Sequence, residues 1–298
     1  MADDSRKYLR PEVLNTIEGL ELKARLIVEG FLSGLHRSPF RGYSVEFAEH
    51  REYVPGDDIR HVDWKVYGKS DRFYIKQYEE ETNLRAWIFL DVSESMEYGS
   101  GAMSKVEYGR HVAAALAYLV VRQQDAAGLC LFDNRIRSFF PAASSTGHLR
   151  VLLDALADVE TGGPTGVGDV IHLAAEQIGG RGVVIVISDL LDKPESILRA
   201  VRRLRHRGHE VVLFHLLDHD ERTFPFERMT LFHGLEAQPQ VLADPAALRT
   251  QYLKELDEFT RALSRGCRGN RVDFVPLDTR DSLDVALSSY LVSRQGRK

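Results

Sequence analysis

Side chains that carry oxygen follow two apolar runs in the chain, at points where strands of a sheet would end. Asp91, Ser93 and Ser95 come at alternate positions after residues 86–90 (AWIFL). Asp189 follows soon after a second apolar run, 183–187 (VVIVI), and a glycine-rich stretch (GGPTGVG) with Thr165 lies between the two runs. Alternate side chains of an extended segment point to the same side, so the first three can converge on one point.

Five oxygen donors of this kind suit a hard divalent cation, Mg²⁺ or Mn²⁺, with Ca²⁺ as an alternative. Two carboxylates balance the charge of such an ion, and three neutral hydroxyls leave it electrophilic. An octahedral ion would then keep waters, or an open position for a carboxylate from a partner. The plainer interpretation is that serine and aspartate after a strand form turns or cap helices. The candidate metal ligands are Asp91, Ser93, Ser95, Thr165 and Asp189.

The elements that must position these side chains follow a strand–helix rhythm from residue 85 onwards. Continuous apolar runs are typical of strands buried on both faces of a parallel sheet. The pattern therefore predicts an α/β fold, a doubly wound, mostly parallel sheet flanked by helices. Residues 135–140 are expected to pair antiparallel with the second strand, Asp192 to cap a helix over 194–207, and residues 224–244 to form an inserted hairpin. The predicted strands are 86–90, 128–132, 183–187, 211–214 and 272–275, and the predicted helices are 105–124, 147–158, 167–178, 194–207 and 245–265.

The first 84 residues have a different pattern. Apolar residues at helical spacing predict a helix over 11–32, and short alternating segments between 42 and 84 predict strands and turns. We therefore expect an N-terminal helix and short-strand β subdomain over 1–84, and the α/β domain over 85–298. Opposite charges between Arg51 and Lys65 surround Trp64. They favour an ion network that holds the segment together over a partner-docking surface, and both interpretations stay open.

Composition excludes several classes of protein. With 44% hydrophobic and 28% charged residues in 298, the chain is neither disordered nor of low complexity. Two cysteines exclude a disulfide scaffold and a cysteine-based zinc site. A net charge of −5 gives no reason to expect nucleic acid as a partner. Without a signal-like or bilayer-length apolar stretch, we expect a cytoplasmic protein with no membrane span.

The order of the three oxygen-bearing segments resembles the von Willebrand factor A fold and its metal-ion-dependent adhesion site. This resemblance implies that Ser93, Ser95 and Thr165 ligate the metal directly, whereas Asp91 and Asp189 act mainly through waters. The resemblance is imperfect at one point. A proline stands between the second glycine and Thr165, where that family commonly runs Gly-Gly-Thr, so Thr161 is the alternative ligand.

Several segments outside the metal motif are similar to a bacterial family named domain of unknown function 58 (DUF58). They are residues 38–47 (SPFRGYSVEF), 51–60 (REYVPGDDIR), 62–65 (VDWK) and 76–81 (KQYEEE). Many members of that family carry N-terminal membrane helices, and this chain resembles the short soluble branch. The resemblance implies a partnership with MoxR-type AAA+ ATPases, in which such proteins serve as adaptors in the assembly or maturation of other proteins.

Three functions follow from these observations. The favoured hypothesis is a non-catalytic, metal-dependent protein-binding adaptor, whose partner offers an Asp or Glu side chain to the metal. The runner-up is a divalent-metal-dependent hydrolase or phosphatase. Against an enzyme, a haloacid-dehalogenase-type phosphotransferase needs a second aspartate where Ser93 stands, and dinucleotide, Walker and His-Glu-x-x-His motifs are missing. The third hypothesis is a metal-free structural scaffold.

Overall fold

The computed structural model describes residues 10–14, 17–35, 50–52, 74–76, 84–234 and 240–288. Contacts divide the chain into two units, one of Met1–Leu35 with Leu84–Lys298 and one of His36–Asn83. In the first unit the chain begins with helices α1 (Pro11–Leu14) and α2 (Leu20–Leu35). In the second unit, strands β1 (His50–Glu52) and β2 (Tyr74–Lys76) pair antiparallel. The side chains of the Arg51–Lys65 charge cluster, and most of the segments on which the DUF58 resemblance rests, lie outside the described residues.

The first unit is built on a six-stranded sheet. Its strands lie in the order β10-β7-β6-β3-β4-β5, and all neighbours are parallel except β4 and β5. The predicted fold class, a doubly wound and mostly parallel sheet, is therefore confirmed, as is the antiparallel edge strand. A separate antiparallel hairpin of β8 and β9 confirms the predicted insertion. The strands are β3 (Arg85–Asp91), β4 (Ala126–Phe132), β5 (Ile136–Ala143), β6 (Val183–Ser188), β7 (Glu210–Leu217), β8 (Thr230–Phe232), β9 (Val241–Ala243) and β10 (Asp273–Asp278).

Helices cover both faces of this sheet, because alternate strand residues point to opposite faces. Ile88 and Leu90 of β3 pack in a core with α2, α3 and α4, whereas Trp87 and Phe89 pack in a second core with α5, α6 and α8. No helix among the described residues is long and apolar enough to cross a bilayer. The helices that follow β3 are α3 (Lys105–Arg122), α4 (Thr146–Ala157), α5 (Val167–Gln177), α6 (Pro194–His206), α7 (His219–Thr223) and α8 (Pro245–Gly269).

Two details of the N-terminal helix differ from the prediction. The chain between α1 and α2 includes Gly19 in the left-handed region (φ +82°), so one helix over 11–32 becomes two. Ala24, Ile27 and Phe31 of α2 are buried in the same core as α3. The sequence pattern predicts this helix within a separate subdomain over 1–84, whereas its apolar stripe packs within the α/β unit.

The prediction for Asp192 was also wrong. The residue that directly precedes α6 is Lys193, and it makes no side-chain cap. The carboxylate of Asp192 instead accepts a hydrogen bond from the Gly168 amide (2.9 Å), in the first turn of α5. An acceptor there satisfies an amide that has no partner within its own helix. Asp192 therefore connects the beginnings of α5 and α6.

His111 of α3 is a buried, neutral histidine. Its Nδ1 donates to the carbonyl of Glu107 (2.6 Å), and its buried Nε2 has no hydrogen-bond partner among the described residues. Burial lowers the pKa of His111 from 6.5 to about 4, and the nearby cations Lys23 and Arg110 act in the same direction. Protonation of His111 is therefore costly in the folded state and free in the unfolded state.

This predicts a pH-dependent contribution to stability. Between pH 6.5 and 4, His111 is protonated in the unfolded chain but stays neutral in the folded chain. Its contribution to the free energy of unfolding therefore falls as the pH drops towards 4. We expect the wild type to lose about 3 kcal/mol relative to the non-titrating variant His111→Gln over that range. Urea unfolding of both proteins at several pH values measures the difference. A difference that stays constant from pH 7 to 4 would contradict the prediction.

Candidate metal centre

The predicted ligands lie at the carboxyl edge of the sheet, between β3 and β6. This is where strand order reverses, and ligands of doubly wound sheets bind at such points. Asp91 ends β3, and a short 3-10 helix (Glu94–Glu97) follows and includes Ser95. Asp189 follows β6 directly. The glycine-rich loop is held to the end of β3, because the Glu94 amide donates to the carbonyl of Gly163 (3.0 Å).

Three hydroxyls meet at this edge. The Oγ1 of Thr165 donates to the Oγ of Ser93 at 2.9 Å, and the two serine Oγ atoms are 3.1 Å apart. The Oγ of Ser95 lies 3.3 Å from the Oγ1 of Thr165. Neighbouring ligands of an octahedral Mg²⁺ with bonds of 2.0–2.1 Å are separated by about 3 Å. The three oxygens therefore have the spacing of one face of such an octahedron.

The structure also distinguishes the two candidate threonines. Thr165 lies against both serines, whereas the hydroxyl of Thr161 donates to the carboxylate of Glu97. Pro164 thus lengthens the loop without moving Thr165 out of reach of the serines. Thr161 serves as a matched comparison, since it is a threonine of the same loop with a different partner.

Gly163 allows the loop to approach its neighbours closely. Its φ of +76° is in the left-handed region, and a Cβ there would lie 2.7 Å from Oδ2 of Asp133. Asp133 is buried and forms an ion pair with Arg137, whose guanidinium also donates to the carbonyl of Gly162 (3.1 Å). Because Gly163 has no side chain, the loop can lie against the Asp133–Arg137 ion pair, which fixes the position of the segment that contains Thr165.

Asp91 is completely buried beside the hydroxyl triangle. Its Oδ1 accepts from the Ser93 amide (2.9 Å), and its Oδ2 accepts from the hydroxyl of Ser188 (2.6 Å). Burial, and then the charge of Asp189, raise the pKa of Asp91 to about 7, although the two hydrogen-bond partners lower it. A cation nearby would favour the ionised form. Asp91 therefore orients Ser93, and beside a bound cation it would be ionised and add negative charge to the site.

Asp189 has a partner that sequence reasoning missed. Its Oδ2 accepts from the ammonium of Lys105 at 2.8 Å, and both side chains are fully buried. The same ammonium donates to Oε1 of Glu221 at 2.7 Å. Burial lowers the pKa of Lys105, but the charges of Asp189 and Glu221 outweigh it, so the net shift is upwards. A signal was available, because Lys105 is the first residue of α3, where the helix dipole disfavours a cation.

Glu221 belongs to a network that spans the edge of the sheet. Its Oε2 accepts from the Asp218 amide (2.7 Å) in the capping box of α7. Asp218 in turn accepts from the hydroxyls of Ser100 (2.6 Å) and Thr279 (2.9 Å). Burial raises the pKa of Glu221, and Lys105 opposes that rise. Lys105 therefore belongs to a polar network that connects the residue after β6, the segment after β7 and the segment after β10.

A metal at this edge would depend on hydroxyl ligands. Within the described ranges, no group of three or more His, Cys, Asp or Glu side chains could hold a metal ion. The fold brings together the hydroxyl triangle and the carboxylate of Asp91, and the charge of Asp189 raises the pKa of Asp91. This donor set is hard and has few charges, which suits Mg²⁺ or Mn²⁺.

Comparison with known proteins identifies a family. The uncharacterized protein Rv1480 of Mycobacterium tuberculosis is 27% identical over 291 residues, which cover 96% of this chain and 90% of that protein. Similar solved structures include BatB from Bacteroides thetaiotaomicron (15% identity, TM-score 0.49, covering 72% of this chain and 100% of that one). Another is the SpRpn10 VWA domain (15% identity, TM-score 0.42, covering 68% and 93%). The model of the family described as "Protein of unknown function DUF58" matches residues 49–261, more than half of the chain, which therefore belongs to the DUF58 family.

Proposed function

We propose that this protein is a non-catalytic, metal-dependent protein-binding adaptor. In this proposal Ser93, Ser95 and Thr165 hold a divalent cation, and a protein partner completes its coordination with an Asp or Glu side chain. The observation that carries the proposal is the hydroxyl triangle, with edges of 2.9, 3.1 and 3.3 Å. When bound, Mg²⁺ or Mn²⁺ would act as the Lewis acid that attracts the partner's carboxylate.

The chain's own residues account for the remaining requirements. With three neutral hydroxyls as its direct ligands, a bound cation would keep coordination positions for waters and for a partner. The carboxylate of Asp91 accepts hydrogen bonds on both oxygens and is buried. Both oxygens are therefore engaged by the protein, and a bound cation would attract an external carboxylate.

The hydrolase or phosphatase alternative has less support. Asp91 ends the first strand of the sheet, as a phosphotransferase nucleophile would, but its side chain is completely buried. Both of its oxygens are used by Ser93 and Ser188. A nucleophile needs a free oxygen within reach of its substrate. The contacts of Asp91 are those of a residue that positions its neighbours.

The proposed partner is a MoxR-type AAA+ ATPase, and the proposed setting is the cytoplasm, in assembly or maturation of other proteins. This part of the proposal rests on the family resemblance of the sequence. The candidate site lies at the carboxyl edge of the sheet, where Thr165 is partly exposed and both serines are buried. A binding surface on rigid elements loses little entropy when a partner docks.

Affinity capture tests the proposal. The protein is immobilised and exposed to the ATPase, and separately to native lysate, in buffer with Mg²⁺ or with EDTA. We expect capture of the ATPase in Mg²⁺, and its loss both in EDTA and in the variant Ser95→Ala, which removes one hydroxyl of the triangle. Thr161→Val, a change in the same loop outside the triangle, is the control and should behave as the wild type. Equal capture in Mg²⁺ and EDTA would overturn the metal-dependent mode of binding.

A further inference from the structure

Lys105 is a buried cation among carboxylates at the edge of the candidate metal centre. Its side chain is completely inaccessible, and its ammonium lies 2.8 Å from Oδ2 of Asp189 and 2.7 Å from Oε1 of Glu221. A lysine is rarely buried in this way, because removing its charge from water is costly unless the charge is paired. Lys105 is not one of the proposed metal ligands, so its burial has to be explained separately.

We propose that Lys105 is an internal counter-cation that sets the affinity of the candidate metal centre for divalent cations. This inference rests on the proposed metal site and deepens it. The ammonium of Lys105 contacts the carboxylates of Asp189 and Glu221, and it cancels part of the negative charge that would otherwise attract a metal. The lysine thereby keeps the intrinsic affinity for the ion low.

Formal charges give the direction in which each substitution acts. Lys105 carries one positive charge against the two carboxylates that it contacts, Asp189 and Glu221, so these three side chains have a formal net charge of −1. Without the lysine that charge would be −2, and without the charge of Glu221 it would be 0.

The charge of Lys105 reaches the hydroxyl triangle through Asp189. The two carboxylates belong to the neighbouring ends of β3 and β6, where the hydroxyl of Ser188, the residue before Asp189, donates to Oδ2 of Asp91 (2.6 Å). Asp91 in turn accepts a hydrogen bond from the amide of Ser93, whose hydroxyl is part of the triangle. Charges within this buried edge are poorly screened by solvent, so a change of one unit alters cation affinity strongly.

Three variants separate charge from other effects, with Mn²⁺ as the probe and isothermal titration calorimetry as the measurement. Glu221→Gln keeps the size of the side chain and an acceptor for the Asp218 amide, and it is expected to weaken Mn²⁺ binding by about tenfold or more. Lys105→Met is expected to tighten it by about tenfold or more. The double variant Lys105→Met/Glu221→Gln restores the net charge of the wild type and is expected to return the Kd to near the wild-type value.

The outcomes distinguish this inference from the function on which it rests. If the wild type binds no Mn²⁺, the proposed metal site is overturned and this inference with it. If the wild type binds Mn²⁺ and Glu221→Gln binds it with the same Kd, the role of Lys105 is overturned and the metal site stands. Glu221→Gln leaves Lys105 paired with Asp189, and the side chain of Glu221 is partly exposed, so we expect this variant to fold. It keeps the test valid even if Lys105→Met does not fold.

Discussion

Replacing Lys105 with methionine is expected to lower the free energy of unfolding by about 3–5 kcal/mol when no divalent cation is present. The change removes the charged partner of Asp189, which has no exposed surface, and of Glu221, whose side chain is about one fifth exposed. Two carboxylates would then share a buried site without a cation, or one would take up a proton at a cost in free energy.

Urea unfolding in EDTA measures this effect, and the chain offers a matched control. Lys254 forms an ion pair with Glu258 on the surface of α8, where both side chains are more than half exposed. Lys254→Met removes the same charge from a hydrated pair, and we expect a change of only about 0.5 kcal/mol. Equal effects of the two substitutions would show that the buried pair contributes no more than a surface pair.

Replacing Thr165 with valine is expected to abolish stabilisation of the protein by Mg²⁺. Valine keeps the shape of threonine but removes the hydroxyl that lies 2.9 Å from Ser93 and 3.3 Å from Ser95. If the triangle binds the metal, saturation of the wild type at 100 times the Kd adds about 2.7 kcal/mol to its free energy of unfolding. The variant lacks one of three direct ligands and should gain almost none of this.

Thermal unfolding with and without Mg²⁺ provides the measurement. Thr161→Val is the control, because Thr161 lies in the same loop but bonds to Glu97, and it should retain the full shift. A wild-type melting temperature that does not change with Mg²⁺ or Mn²⁺ at any concentration would favour the metal-free scaffold over the adaptor.

Most of the fold could be predicted from the sequence because the strands are buried on both faces. A run such as residues 183–187 has no polar member, and it became β6 at the centre of the sheet with every residue buried. The helices begin where local signals place them: Pro245 starts α8 after the Asp244 cap, and Ser104 with Glu107 caps α3. Local chemistry of this kind needs no knowledge of distant contacts.

The candidate site was predictable in part for the same reason. Asp91, Ser93 and Ser95 are close in the sequence, and the parallel sheet brings the ends of β3 and β6 to one edge. The partner of Asp189 could not be identified in this way. The position of Lys105 at the start of α3 marks that lysine as unusual, but no local signal pairs it with a residue 84 positions away. The contact of Asp192 with α5 could not be predicted for the same reason. Its partner there, Gly168, lies 24 residues earlier in the chain.

The packing of α2 on the core has a consequence for synthesis of the chain on the ribosome. α2 ends at Leu35, but α3, against which it packs in the core, is complete only at Arg122. At about 5–20 residues per second, that interval lasts roughly 4–17 s. A 16-residue helix is marginally stable alone, so Ile27 and Phe31 remain without a core throughout this time. We therefore expect the nascent α2 segment to expose its apolar stripe to ribosome-associated chaperones until α3 has been synthesised.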